Sequence, residues 1–191
     1  MADMVLFVTH PEVVIDPATP VPDWGLSDVG RRRMAIFAAS PEAAGLTAIW
    51  SSEETKAREA GAILADGRSL TVRTHVGLGE NDRSATGFLP PSEFEAVADA
   101  FFARPEESVR GWERAIDAQA RVAAAFAEVL AASPPGPIAV VAHGGVGTLL
   151  LCHLAGRPID RAEDQPFQGC FWRCERDSLR PLHGWRPIAP R

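Results

Sequence analysis

The sequence has few cysteines, no long hydrophobic run and no excess of basic residues, and each shortage excludes a class of protein. Three cysteines in 191 residues are too few for the disulfide framework of a small secreted domain, and their number is odd. The longest apolar runs, such as residues 146–152, end well short of the roughly 20 residues that a membrane-spanning helix needs. The 25 acidic residues outnumber the 19 basic ones, which argues against broad attraction to nucleic-acid phosphates.

The start of the chain, Met1-Ala2-Asp3-Met4, lacks the basic segment and the cleavage site of a secretory signal. We therefore expect a cytoplasmic protein that binds neither nucleic acid nor membranes. A hydrophobic fraction of 46% is enough to bury the core of one globular domain spanning residues 1–191. The oligomeric state has no signature in the sequence.

Short apolar runs alternate with helical segments, and this alternation predicts the fold class. Val5-Leu6-Phe7-Val8 and residues 138–142 are continuous apolar runs, typical of strands buried on both faces of a parallel sheet. Further strands are predicted at 46–50, 70–73 and 170–174, and helices at 31–39 with Ser27 as N-cap, 53–64, 112–130 and 145–154. The sequence therefore predicts an α/β domain, a three-layer α/β/α sandwich around a mostly parallel sheet.

One stretch interrupts the alternation. Residues 79–92 are polar and rich in glycine and proline, which predicts a mobile excursion over the sheet edge. We expect residues 79–110 to form a lid-like segment that sets substrate choice, although its sequence carries no recognisable code for a substrate.

Two histidines, His10 and His143, end two of the predicted buried strands. In open α/β sheets, ligands bind outside the carboxyl ends of the strands, so both rings are expected at one crevice. Gly144 and Gly145 follow His143 and open a helix, whose free backbone N–H groups would attract an anion. A tight structural turn explains the same glycines, and a lone strand-end histidine is more often structural. The two histidines together favour a site.

Other interpretations of these residues have weaker support. The segment from Gly145 to Gly147 lacks the third glycine of a dinucleotide fingerprint, because Leu150 occupies that place. No Lys-Ser or Lys-Thr pair follows, as a P-loop requires, and no G-x-S-x-G elbow is present. Zinc is conceivable from the set His10, His75, Asp82 and His143, but no HExxH or CxxC spacing supports it. We therefore predict no metal site.

A series of segments in chain order carries a more specific pattern. They are Phe7-Val8-Thr9-His10-Pro11, Leu26-Ser27-Asp28-Val29-Gly30, Ile49-Trp50-Ser51-Ser52 with Lys56-Ala57-Arg58-Glu59, Gly77-Leu78-Gly79-Glu80, Glu107-Ser108 and Val140-Val141-Ala142-His143-Gly144-Gly145-Val146. Together they resemble the histidine phosphatase superfamily, also called phosphoglycerate mutase-like. The first resembles a strand ending in Arg-His-Gly, and the third resembles Ser-Ser-Pro-Leu-x-Arg-Ala-x-x-Thr.

The resemblance implies a metal-independent phosphatase that uses no cofactor. It would act on a small phosphorylated molecule or a phosphoprotein through a phosphohistidine intermediate. By position, His10 would be the nucleophile and Glu80 the general acid, which then becomes the base that activates water. His143 would donate to the phosphoryl oxygens, where charge collects in the transition state.

The chain departs from the family pattern at the residues that hold phosphate. Thr9 and Lys56 stand where the family has two arginines, and Pro11 replaces a glycine. One hydroxyl and one point charge thus replace two bidentate guanidinium groups. The lid-like segment offers Arg83 as a replacement, whereas Arg58 would point elsewhere on its helix. The expected phosphate-binding residues are Thr9, Lys56, Gly144 and Arg83.

Two functions remain open from the sequence. His10, Glu80 and His143 match catalytic positions of the family pattern, and their presence favours a phosphatase. The missing arginines favour a catalytically degenerate member, one that binds a phosphorylated or other anionic ligand without turning it over.

Overall fold

A six-stranded sheet forms the centre of the computed structural model, which describes residues 3–190. The expectation based on the first four residues therefore lies partly outside the described residues, since it includes Met1 and Ala2. The strands are Met4–Thr9 (β1), Ala48–Ser51 (β2), Val72–Thr74 (β3), Ile138–Ala142 (β4), Cys170–Glu175 (β5) and Arg186–Pro187 (β6). Their order is β3-β2-β4-β1-β5-β6. The first four are paired in parallel, whereas β5 and β6 are antiparallel. The predicted mostly parallel sheet is confirmed.

Helices cover both faces of this sheet and complete the three predicted layers. They are Asp28–Ala38 (α1), Thr55–Ala65 (α2), Pro91–Ala103 (α3), Ala115–Ala131 (α4) and Gly144–Leu154 (α5). Strand β1 shows why the core has two halves, because successive side chains point to opposite faces. Phe7 packs with α3, α4 and α5, whereas Val8 packs with α1 and α2. Within residues 3–190, none of the helices has the length and hydrophobicity to cross a membrane.

The entry to α1 fixes the loop that follows the first histidine. Ser27 is the N-cap, as predicted, and its hydroxyl accepts the N–H of Gly30 at 3.1 Å. A Cβ at Gly30 would lie 2.2 Å from the carbonyl oxygen of Glu12. Only glycine therefore lets α1 approach the chain two residues beyond His10 this closely.

The helix α3 is absent from the elements predicted from the sequence. The pair Pro90-Pro91 at its start is typical of a loop in the sequence. In the structure, Pro91 occupies the first helical turn, where proline is tolerated. Phe101 and Phe102 of α3 are buried in the same core half as Phe7. The lid-like segment therefore has two parts. Residues 79–90 form no helix or strand, and the rest includes a helix of 13 residues.

Candidate active site

His10 and His143 lie side by side at the carboxyl ends of β1 and β4. Their ring centroids are 5.2 Å apart, and the rings meet edge to face. The parallel register that places Thr9 opposite Ala142 brings them together, and the N–H of His10 donates to the carbonyl of Ala142 at 3.1 Å. Both side chains are buried. The predicted proximity of the two rings at the strand ends is confirmed, and their joint role as a site stays a prediction.

The protonation of His10 suits it for nucleophilic attack. Its Nδ1 lies 2.9 Å from the carbonyl oxygen of Pro11; since a carbonyl only accepts, Nδ1 carries the proton and Nε2 keeps its lone pair. Burial above all, then the proximity of His143 and Lys56, lowers the pKa of His10 to about 3. The ring is therefore neutral at physiological pH, as a nucleophilic imidazole must be.

His10 also makes folding sensitive to acid. An unfolded histidine binds a proton below about pH 6.5, whereas the folded ring resists protonation down to a pKa of about 3. Because the unfolded state binds more protons between these values, stability is lost as the pH falls. We expect His10 to lower the unfolding free energy by up to about 1.4 kcal/mol per pH unit below 6.5. Urea unfolding at pH 7.5, 6.0 and 5.0 measures this slope.

The matched variants are His10→Gln and His153→Gln, of which the second removes an exposed histidine. The slope should become shallower in His10→Gln and stay unchanged in His153→Gln. An equal slope in all three proteins would contradict the assigned pKa of His10.

His143 has one ring nitrogen engaged and one without a partner. Its Nε2 lies 2.7 Å from the hydroxyl of Ser52 and 3.2 Å from Oε1 of Glu54. A lone pair on Nε2 would face the negative carboxylate of Glu54, so we place the proton on Nε2. Its Nδ1 is buried and has no hydrogen-bond partner among residues 3–190. Burial is the main cause of the lowered pKa of His143, and Glu54 opposes it. The amide nitrogen of Asn81 is likewise buried, and it too has no hydrogen-bond partner in the part of the chain that the structure describes.

The carboxylate of Glu80 lies at the N-terminus of α5. It accepts the N–H groups of Gly145 at 3.2 Å and Val146 at 3.0 Å. A Cβ at Gly145 would lie 2.7 Å from Oε1 of Glu80, so the acid can approach this closely only because the residue is glycine. The sequence predicts free N–H groups here for an anion, but these two already bind Glu80. The predicted general acid is thus held beside His143, and a ligand is left to use other donors.

Lys56 is the only lysine in the sequence, and it is almost fully buried. Its ammonium donates to the carbonyl of Val21 at 2.8 Å and to the carboxylate of Glu54. Burial opposes the charge on Glu54, but His143 and Lys56 outweigh it and lower the pKa of Glu54 to about 2. The crevice therefore contains an ion pair where the sequence predicts a cation alone.

Glu54 is a site residue that the sequence reasoning did not identify. It stands at the leucine of the pattern Ser-Ser-Pro-Leu-x-Arg, which residues 51–56 resemble. The sequence signal that could have identified Glu54 was an acidic residue at an apolar position of the pattern, two residues before the lysine. The neighbouring Glu53 is exposed and lies outside the crevice, as does Arg58, which lines a surface cleft along α2.

Thr9 is turned toward the antiparallel strand β5. Its hydroxyl donates to Oε1 of Gln165 at 2.7 Å and accepts the N–H of Cys170 at 2.9 Å. With its oxygen so engaged, Gln165 has its amide nitrogen left as a donor. That nitrogen would lie 2.2 Å from a Cβ built on Gly144. Gln165, also missed from the sequence, thus brings an amide donor to Gly144, while direct phosphate binding by Thr9 stays a prediction.

Arg83 of the lid-like segment lies near Glu80, and its predicted phosphate binding stays a prediction. Its guanidinium lies 3.9 Å from the carboxylate of Glu80 and stacks on the rings of Phe94 and Trp112 at 5.2 and 5.5 Å. Of the conceivable zinc ligands, His75 pairs instead with Glu128 at 3.0 Å. Among residues 3–190, no group of three histidine, cysteine or acidic side chains is arranged to hold a metal ion.

Comparisons with known proteins agree with this architecture. The family model described as histidine phosphatase superfamily (branch 1) matches residues 5–173. A mycobacterial glucosyl-3-phosphoglycerate phosphatase in complex with VO3 is 23% identical, with a TM-score of 0.81 over 97% of this chain and 100% of that chain. YhfR of Bacillus stearothermophilus is 22% identical, with a TM-score of 0.79 over 95% and 94% of the two chains.

A third solved structure is described as the α-ribazole phosphatase of Shigella flexneri. It is 17% identical, with a TM-score of 0.71 over 97% of both chains. No curated protein matches the sequence. At these identities the solved structures establish a common fold.

Proposed function

Because the chain belongs to branch 1 of the histidine phosphatase superfamily, we propose that it is a metal-independent phosphatase acting on a small phosphorylated molecule. The observation that carries the proposal is the pair of buried rings, 5.2 Å apart, in which His10 keeps a free Nε2. Similar solved structures include a glucosyl-3-phosphoglycerate phosphatase and an α-ribazole phosphatase, which supports a small metabolite over a phosphoprotein.

In the first step, Nε2 of His10 attacks the phosphorus and the bond to the leaving oxygen breaks. Glu80 in its protonated form gives its proton to that oxygen, so the product leaves as an alcohol. The Nε2–H of His143 and the ammonium of Lys56 donate to the phosphoryl oxygens, which gather charge in the transition state. The amide of Gln165 adds a neutral donor beside Gly144.

In the second step, water attacks the phosphohistidine. Glu80, now a carboxylate, takes a proton from the water, the P–N bond breaks and His10 regains its lone pair. The hydrogen bonds from Gly145 and Val146 hold Glu80 in one place for both steps.

One observation favours the second candidate function, ligand binding without turnover. The cation expected to hold phosphate, Lys56, is already paired with Glu54, which weakens its pull on a transition state. In that case the crevice would bind an anion and leave its ester bond intact.

The deciding experiment compares the wild-type protein with His10→Ala on a panel of phosphomonoesters that includes p-nitrophenyl phosphate. We expect turnover that EDTA leaves unchanged and that His10→Ala lowers by at least about 10³-fold, because the nucleophile is lost. Acid quenching should trap a phosphorylated wild-type protein and no phosphorylated variant. His153→Ala, which changes an exposed histidine, is the control.

Phosphate binding without turnover of any ester would support the degenerate alternative. Activity that EDTA removes, or that survives His10→Ala, would point to different chemistry.

A further inference from the structure

The charges around the crevice cancel. Burial lowers the pKa of both His10 and His143, so neither ring supplies a positive charge at neutral pH. The cations Lys56 and Arg83 are matched by two carboxylates, Glu54 and Glu80. A doubly charged phosphoryl group would therefore enter a site with no surplus of positive charge.

Other charged groups do not change this balance. Arg121 of α4 lies close enough to feel the charges of Glu54 and Glu80, but its guanidinium is paired with Glu113 at 2.7 Å. The ionisable groups that interact with the charge of Glu54 include Lys56, His10, His143 and Arg121, and Glu80 meets it through its backbone N–H.

Glu54 already pairs with the groups that would donate hydrogen bonds to a phosphoryl group. Its side chain is only 15% exposed, and it accepts hydrogen bonds from the ammonium of Lys56 and from the N–H of Glu80 at 2.9 Å. Its Oε1 also lies 3.2 Å from Nε2 of His143. The proposed function assigns two of these donors, Lys56 and His143, to the phosphoryl oxygens. A phosphoryl group bound by both must consequently lie against the carboxylate of Glu54.

We infer that Glu54 is a specificity-determining residue that selects the singly charged, protonated form of a phosphomonoester. A monoanion has a P–OH group that can donate to the carboxylate, whereas a dianion has acceptors only and would oppose charge to charge. The inference rests on the proposed function, since it concerns how the same crevice chooses its substrate.

The consequence is a dependence on pH that His10 does not cause. A phosphomonoester loses its second proton near pH 6, so the monoanion falls about tenfold for each pH unit above that value. His10, with a pKa of about 3, stays neutral throughout this range. We expect kcat/KM of the wild-type protein to fall with the monoanion fraction.

The test is the pH profile of kcat/KM between pH 5 and 8.5 for wild type, Glu54→Gln and Glu54→Leu. Removing the carboxylate frees Lys56 and admits the dianion, so the fall above pH 6 should flatten and activity at pH 8 should rise at least about tenfold over wild type. Glu53→Gln changes the adjacent, exposed glutamate and should keep the wild-type profile. Glu54→Leu restores the residue of the family pattern and covers the case in which the glutamine variant folds poorly.

A binding measurement separates this inference from the proposed function. Calorimetry with inorganic phosphate should give weaker binding to wild type at pH 8 than at pH 5.5 and nearly equal binding to Glu54→Gln. Turnover that depends on His10, combined with the same pH profile in both Glu54 variants, would overturn the inference alone. If neither turnover nor phosphate binding is found in any protein, the proposed function fails and the inference with it.

Discussion

Glu80→Gln is expected to lower the turnover of an alkyl phosphate by about 10²- to 10⁴-fold, the usual contribution of a general acid. The amide oxygen of glutamine can still accept from Gly145 or Val146, which now bind the carboxylate, but the amide has no proton to give. An alkoxide leaves poorly without one, so formation of the phosphohistidine should become rate-limiting.

The same variant should behave differently with p-nitrophenyl phosphate, whose leaving group departs without a proton. His10 is then phosphorylated at a nearly normal rate, but water is no longer activated. Stopped-flow absorbance should show a burst of about one nitrophenolate per active site and a slow steady state. The control Asp82→Asn changes an exposed neighbour and should turn over normally. Equal losses on both substrates without a burst would contradict the acid–base role of Glu80.

Arg33→Ala is expected to lower the unfolding free energy by about 3–5 kcal/mol, as for other broken buried ion pairs. Arg33 of α1 is only 3% exposed. Its Nη1 bonds both carboxylate oxygens of Glu12 at 2.8 Å, and further bonds from the guanidinium reach three backbone carbonyls, those of Gln168, Gly169 and Ala189. Alanine would remove this donor from all these acceptors, of which the carbonyl of Gly169 would keep the N–H of Ile188.

Urea unfolding at pH 7.5 measures this effect, and Arg32→Ala is the matched control. Arg32 is the preceding residue of the same helix and is exposed, so its loss should change the unfolding free energy by less than about 0.5 kcal/mol. A similarly small change in Arg33→Ala would show that the group formed by Arg33, Glu12 and the three carbonyls (the Arg33 cluster) adds no net stability. The Arg33 cluster also borders the active site, because the N–H of Gly169 donates to the carbonyl of His10 at 3.1 Å.

The parts of this molecule that could be predicted from the sequence depend on local pattern. His10 and His143 each follow a continuous apolar run, and such runs become adjacent buried strands whose carboxyl ends share one edge of the sheet. Ser27 was equally recognisable, because an N-cap depends on the three residues that follow it. The strands β1 and β4 and the position of the crevice follow from such short-range information.

The parts that could not be predicted depend on distant partners. Gln165 meets Thr9 across 156 positions of sequence, and Glu54 gains its role only when α2 packs near His143. The charge balance of the crevice is a sum over residues on different elements, so no single motif reports it. The helix α3 was hidden for a simpler reason, because Pro91 both breaks a preceding element and begins the next.

The burial of α3 restricts where this protein can vary the entrance to its crevice. Phe101 and Phe102 belong to the same core half as the central strands. Displacing the helix would expose this apolar surface to water, at a free-energy cost of about 25 cal/mol for each Å². Residues 84–90 form no helix or strand, and of their side chains Leu89 packs against this core half and Phe88 against Trp24. Substitutions that alter the entrance to the crevice are therefore expected to cost less folding free energy in this short loop than in the helix behind it.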